Sequence, residues 1–107
     1  MQKGQQIYRQ GDVLLVCIEK IPNTAKKAND CILAHGEATG HCHRIKTGAR
    51  KFIEQITEQI QRSYVRITSE SAYLVHEEHS ALAIPGGDYE VIIQKEYLPG
   101  ELLDVRD

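Results

Sequence analysis

The chain has 107 residues, 41% hydrophobic and 26% charged, which is the composition of one folded domain with a single modest core. The net charge of −2, with no long run of one sign, excludes a broad basic face for duplex nucleic acid, while a small nucleotide in a local pocket stays open. Three cysteines, Cys17, Cys31 and Cys42, with no CxxC pair argue against a disulfide framework and for a reducing cytoplasm.

The start, "MQKGQQIYRQGD", is polar and unlike a signal peptide, and the first apolar run, Val13 to Ile18, is too short to cross a bilayer. No membrane partner is expected. Gly11-Asp12 reads as a turn that launches "VLLVCIEKI", Val13 to Ile21, ended by Pro22-Asn23. Val13, Leu15 and Cys17 alternate with Leu14, Val16 and Ile18, so both faces are apolar and the strand is expected to lie centrally. "NTAKKAND", residues 23–30, is a polar loop. "CILAH" is a short strand stopping at Gly36, and "GHCHRI" is a further strand after Gly40.

Residues 50–62, "RKFIEQITEQIQR", fit two structures. Ile53, Ile56 and Ile60 have helical spacing and the Glu and Gln content favours a helix. Phe52, Ile56 and Ile60 also fit a strand, less cleanly because Phe52 and Ile53 are adjacent. "SYVRI" and "AYLVHE" follow as strands, separated by the turn-like "TSES". A strand to Ile84, a turn at Pro85-Gly86-Gly87-Asp88 and a strand from Tyr89 to Tyr97 complete the pattern. The expected fold is mainly β: a small single-domain barrel or sandwich over residues 1–107, with at most one short helix around 50–62.

Four of the five histidines fall in two short segments, "GEATGHCHRI" and "VHEEHS". Residues two apart on a strand share a face, so His41 and His43 converge while Cys42 points away as a small buried hydrophobe. In a regular strand His76 shares its face with Glu78, and His79 shares the other with Glu77. Both histidines reach His41 and His43 only if a bulge or turn interrupts the strand. "HEEH" is not HExxH, whose histidines lie one helical turn apart. Glu37 is placed to orient an imidazole, and His35 stands outside the pair of clusters.

Two chemistries suit such a pocket. His41, His43, His76 and His79 are candidate ligands for a divalent transition metal (Zn, Fe, Mn or Ni), with an open position for water or substrate. Without metal, the same imidazoles and Glu78 would act as general acid and base, for example on a phosphodiester. A cation or donor must then steady the developing charge, and Lys95 or Tyr97 is the candidate, since Arg44 points away from His41 and His43.

The segments "RQGDVLLV", "LAHGEATGHCHRI" and "LVHEEHSALAIPGGDYEVIIQKEY" together resemble a family of small uncharacterised bacterial and phage-borne proteins. The recurring frame is QGDV, GE-x-TGH-x-H, HEEH and a proline-glycine turn before YEV and QxEY. The resemblance implies that the two histidine clusters belong together, and it favours strands over residues 52–67. It brings no activity. His41 and His43 also resemble the HxH of cupins, metal-binding β-barrels, but the glutamate expected soon after is missing and two late histidines replace the usual one.

Three functions follow as expectations. The first is a small cytoplasmic enzyme with a histidine-bound divalent metal that hydrolyses a small polar substrate. The second is a metal-independent phosphodiesterase acting on RNA or a cyclic nucleotide. The third is a non-catalytic metal-binding or assembly module. A homodimer, with a site shared across a two-fold axis, is open to a β-protein of this length.

Overall fold

The computed structural model describes residues 6–35 and 40–94. Glu37, Lys95 and Tyr97 lie outside the described residues. Among the described residues eight strands follow in chain order: β1 (Ile7–Gln10), β2 (Val13–Ile18), β3 (Lys26–Lys27), β4 (Ile32–His35), β5 (Cys42–Ile45), β6 (Ala49–Gln55), β7 (Gln61–His76) and β8 (His79–Ile93). No helix occurs among the described residues, and so none is long and apolar enough to cross a membrane.

All pairings are antiparallel. The main path runs β1-β2-β8-β7-β5-β4, and β6 carries β3 on its outer side while pairing β7 on its inner side. The sheet curls into a half-barrel. β7 is long enough to serve two neighbours on one edge: Gln61 to Ile67 pair with β6, and Leu74 and Val75 pair with β5. The expected central position of β2 is observed, because it lies between β1 and β8. Val13 and Leu15 are fully buried, and they pack with Leu33, Ile45, Val65, Ile67, Leu74, Ile84, Tyr89 and Val91 in the concave core. Burying one such aliphatic side chain contributes roughly 1.5–3 kcal/mol, so a few residues from each strand suffice to hold the curl.

Residues 50–62 form a strand hairpin, not a helix: β6, a loop, and the start of β7. Ile56 and Ile60, two of the three residues with helical spacing, are exposed in that loop. Two expected turns are corrected. "TSES" does not separate two strands, and Pro85-Gly86-Gly87-Asp88 does not end one, because β7 and β8 run through both. The two segments face each other: Ile67 pairs with Gly87 and Ser71 with Pro85, so three residues of β7 oppose Gly86 alone. This bulge bends both strands together. The freed N–H groups of Thr68 and Ser69 donate to Gly48 O at 2.8 and 3.4 Å. A Cβ on Gly86 would lie 2.8 Å from Ser69 O, so the close approach needs glycine. Turn-forming residues here serve a bend.

Two further elements escaped the sequence. β1 is a four-residue edge strand in a polar segment, and β3 is a two-residue bridge inside the polar loop. Gly11-Asp12 forms the expected turn, joining β1 to β2. It brings the end of β1 to the tip of the β7–β8 hairpin.

Candidate functional site

Glu77 and Glu78 form a two-residue turn, and His76 pairs directly with His79 across it. A turn therefore interrupts the segment "VHEEH" and places both histidines on one hairpin tip. A register shift between Leu74 and His76 also precedes the pair. His43 comes from the neighbouring β5 and is 3% exposed. Its ring centroid lies 4.3 Å from that of His76 and 5.6 Å from that of His79, and the last two are 4.7 Å apart.

One ligand atom from each of His43, His76 and His79 falls within 4.8 Å of the others. Two bonds of about 2.1 Å to a shared ion span at most about 4.2 Å, so small side-chain movements would close the set on a metal. A second group, His41, His76 and Glu77, meets the same criterion but shares His76 with the first. Its carboxylate already has work within the fold. Glu77 Oε1 accepts the Cys42 N–H at 3.0 Å, and Oε2 lies 3.5 Å from Arg44. These contacts hold the Glu77 carboxyl below its ordinary range, chiefly through the Cys42 N–H. The group of three histidines is the better candidate.

The remaining site residues expected from sequence surround this cluster. His41 lies edge-on to His76 at 5.7 Å, and its Nδ1 is 3.3 Å from the exposed Glu78 carboxylate. Both His41 and His43 thus approach His76, but the two do not share one candidate ligand set. Cys42 is buried, its Sγ accepts a hydrogen bond from Arg44 at 2.7 Å, and it belongs to neither candidate ligand group. His35 is exposed on β4 and belongs to neither group.

Two residues that sequence reasoning passed over also belong to the cluster. Gln10 closes β1 and is buried, with Oε1 2.9 Å from His43 Nδ1. Asp12 follows in the β1–β2 turn with Oδ1 3.6 Å from His43 Nε2. Gly11 between them has φ +61, and a Cβ there would lie 2.8 Å from His79 Nε2 and 3.1 Å from His43 Cε1. The one available signal was the tripeptide "QGD", which stands at the start of the recurring frame.

The local electrostatics favour a neutral ring at His43. Burial pushes the His43 pKa down, and the neighbouring His76 and His79 push it further, against the pull of Asp12 and Glu77. An imidazole without its second proton has a lone pair to offer an ion or an acidic hydrogen.

The family model described as a domain of unknown function, DUF8820, matches residues 9–94. The chain belongs to the DUF8820 family. The match spans Gln10, Asp12, His43, His76 and His79, so every residue of the cluster lies within the DUF8820 domain. No curated protein and no solved structure matches the chain.

Proposed function

We propose that this DUF8820 protein binds a divalent transition metal through His43, His76 and His79 and uses it to hydrolyse a small polar substrate. The convergence of three imidazoles within 4.8 Å carries the reading. Three imidazole nitrogen donors suit zinc, iron, manganese or nickel and leave positions for water and substrate. A metal so held would lower the pKa of its water and supply the nucleophile. His79 is exposed and His76 half-buried, so a small molecule has access from the hairpin tip. The HxH resemblance to cupins is compatible with a histidine-bound ion in a β-barrel and adds nothing about the reaction.

One observation favours the metal-independent alternative. The Glu78 N–H donates to His76 Nδ1 at 2.9 Å, so a neutral His76 carries its proton on Nε2. In that state His76 cannot ligate through Nε2 and instead offers an Nε2–H hydrogen bond to a phosphate oxygen beside His43, the candidate general base. The general acid would have to be a doubly protonated imidazole. Ligation through His76 requires its ring to exchange the Glu78 hydrogen bond or turn over.

Metal content of protein purified without a histidine tag, with activity on esters, phosphate esters, RNA and cyclic nucleotides, separates these readings. One equivalent of metal, lost in His43→Ala and His79→Ala, and hydrolysis abolished by chelator are the expected results. Cleavage of nucleotides that survives chelator would establish the alternative and overturn the metal reading. Stoichiometric metal with no hydrolysis of any substrate would leave a binding or assembly module.

A further inference from the structure

The tripeptide Gln10-Gly11-Asp12 forms a wall of the histidine cluster for which neither the histidine pattern nor the family match supplies a role. Gln10 is 4% exposed and all its polar atoms are engaged. Its Nε2 donates to Leu74 O and to Ser80 O, each at 2.9 Å. Those two carbonyls use both amide hydrogens, so the carboxamide has one orientation: reversing it would set Oε1 against two acceptors. The oxygen therefore faces His43 Nδ1, at 2.9 Å, and only an N–H at Nδ1 makes that contact a hydrogen bond. The proton of neutral His43 is placed on Nδ1. Its lone pair is placed on Nε2.

Nε2 in turn lies 3.6 Å from Asp12 Oδ1. A lone pair and a carboxylate have no hydrogen to share between them. A cation about 2.1 Å from each atom would bridge them, because two such bonds span up to about 4.2 Å. His79 Nε2 approaches the same turn, and only the absence of a side chain on Gly11 leaves room for it. Donors from the turn before β2, from β5 and from the hairpin tip thus border one space. Asp12 reaches His43 but does not yet fall within 4.8 Å of two histidine donors together, so a rotation of its side chain would complete the set.

We infer that Asp12 is a fourth ligand of the ion held by His43, His76 and His79, and that Gln10 is the positioning residue that fixes His43 as its Nδ1–H tautomer. The role of Asp12 rests on the metal reading, whereas the role of Gln10 holds with or without an ion. A set of three imidazoles and one carboxylate balances half the charge of a divalent cation. It also orients His43 through a buried amide, where many metal sites use a carboxylate or a backbone carbonyl.

Long-range 1H–15N correlation spectra of metal-free protein at pH 7.5 test the Gln10 role directly. His43 is expected to show a protonated Nδ1 and an unprotonated Nε2, and Gln10→Ala is expected to release it toward the Nε2–H form. A wild-type His43 that is Nε2–H or doubly protonated overturns this assignment, whatever the variant does. Titration with Co2+, followed by visible absorption, tests Asp12. Asp12→Ala and Asp12→Asn are expected to bind at least tenfold more weakly than wild type and to give altered spectra. Their metal-free fold should persist, because the Asp12 backbone oxygen still accepts the Gln94 N–H. Wild-type binding that Asp12→Ala leaves unchanged overturns the ligand assignment alone. Wild-type protein that takes up neither Co2+ nor Zn2+ overturns the metal reading and Asp12 with it, while the tautomer spectra still decide Gln10.

Discussion

Two glycines of left-handed conformation show how one position supports the site and another only the chain. Gly11 has φ +61 and Gly40 φ +83, so alanine at either place pays a backbone penalty of roughly 1–2 kcal/mol. Their surroundings differ. A Cβ at Gly11 would press on His79 and His43, whereas at Gly40 it would meet nothing within 4 Å among the described residues. Both Gly11→Ala and Gly40→Ala are expected to lower stability by a similar amount, about 1 kcal/mol or more, in urea unfolding of the metal-free protein. Only Gly11→Ala is expected to weaken metal binding as well, about tenfold or more, since it displaces the exposed His79 ring. Equal metal affinity in the two variants would show that the turn does not shape the cluster. At this scale the sequence displayed the histidines and hid their supports. His41 and His43 stand out through their spacing, but Gln10 and Asp12 are ordinary residue types in a polar segment. Their importance comes from a distant pairing, with Gln10 reaching Leu74 and Ser80, and no local pattern encodes that.

The hairpin tip is the element that makes two histidines into one pair. His76 and His79 oppose each other because the turn between them has two residues, Glu77 and Glu78. Inserting one glycine between these two lengthens the loop and removes the direct pairing, while the rest of β7 and β8 keeps its register from Ser63–Val91 to Leu74–Leu82. Such an insertion is expected to leave the far-ultraviolet circular dichroism unchanged and to reduce metal affinity by an order of magnitude or more. An unchanged affinity would mean that His79 is dispensable. The same hairpin explains what was and was not legible in the chain. A continuous aliphatic run marks β2 and short runs of β-branched and aliphatic residues mark the ends of β7 and β8, so the β class was readable. Bends were mistaken for turns because serine, glycine and proline serve both, and only the partner strand shows that "TSES" and "PGGD" deform together. Residues 50–62 read ambiguously because their isoleucines do not share an environment: Ile53 is half-buried on β6, while Ile56 and Ile60 are exposed beyond it.

Across the whole molecule, the histidine cluster occupies one arm of the bent hairpin and the Arg66–Asp88 ion pair the other. Asp88 accepts from Arg66 Nε at 2.9 Å and from the backbone N–H of buried Ile21 at 3.1 Å, tying β8 to β7 and to the exit of β2. Asp88 lies nine positions along β8 from His79, a contour length of about 30 Å at strand rise. Stability and metal binding should therefore come apart. Burial pulls the Asp88 pKa upward, but the hydrogen bonds from Arg66 and Ile21 outweigh it, and the folded-state value lies below the ordinary 3.8. The folded state thus favours the carboxylate. That contribution is complete above the ordinary value and is lost as pH falls through the lower folded-state one. Asp88→Asn is expected to destabilise the metal-free protein by about 1 kcal/mol at pH 7, a modest figure because the half-exposed Arg66 is screened by water. Urea midpoints measured from pH 7 to pH 3 should show the gap between wild type and Asp88→Asn constant down to about pH 4 and closing below it. Metal affinity at pH 7 should not change. A gap that widens in acid would mean that the paired form is not the carboxylate, and a loss of metal binding would mean that the two arms are coupled through the bend.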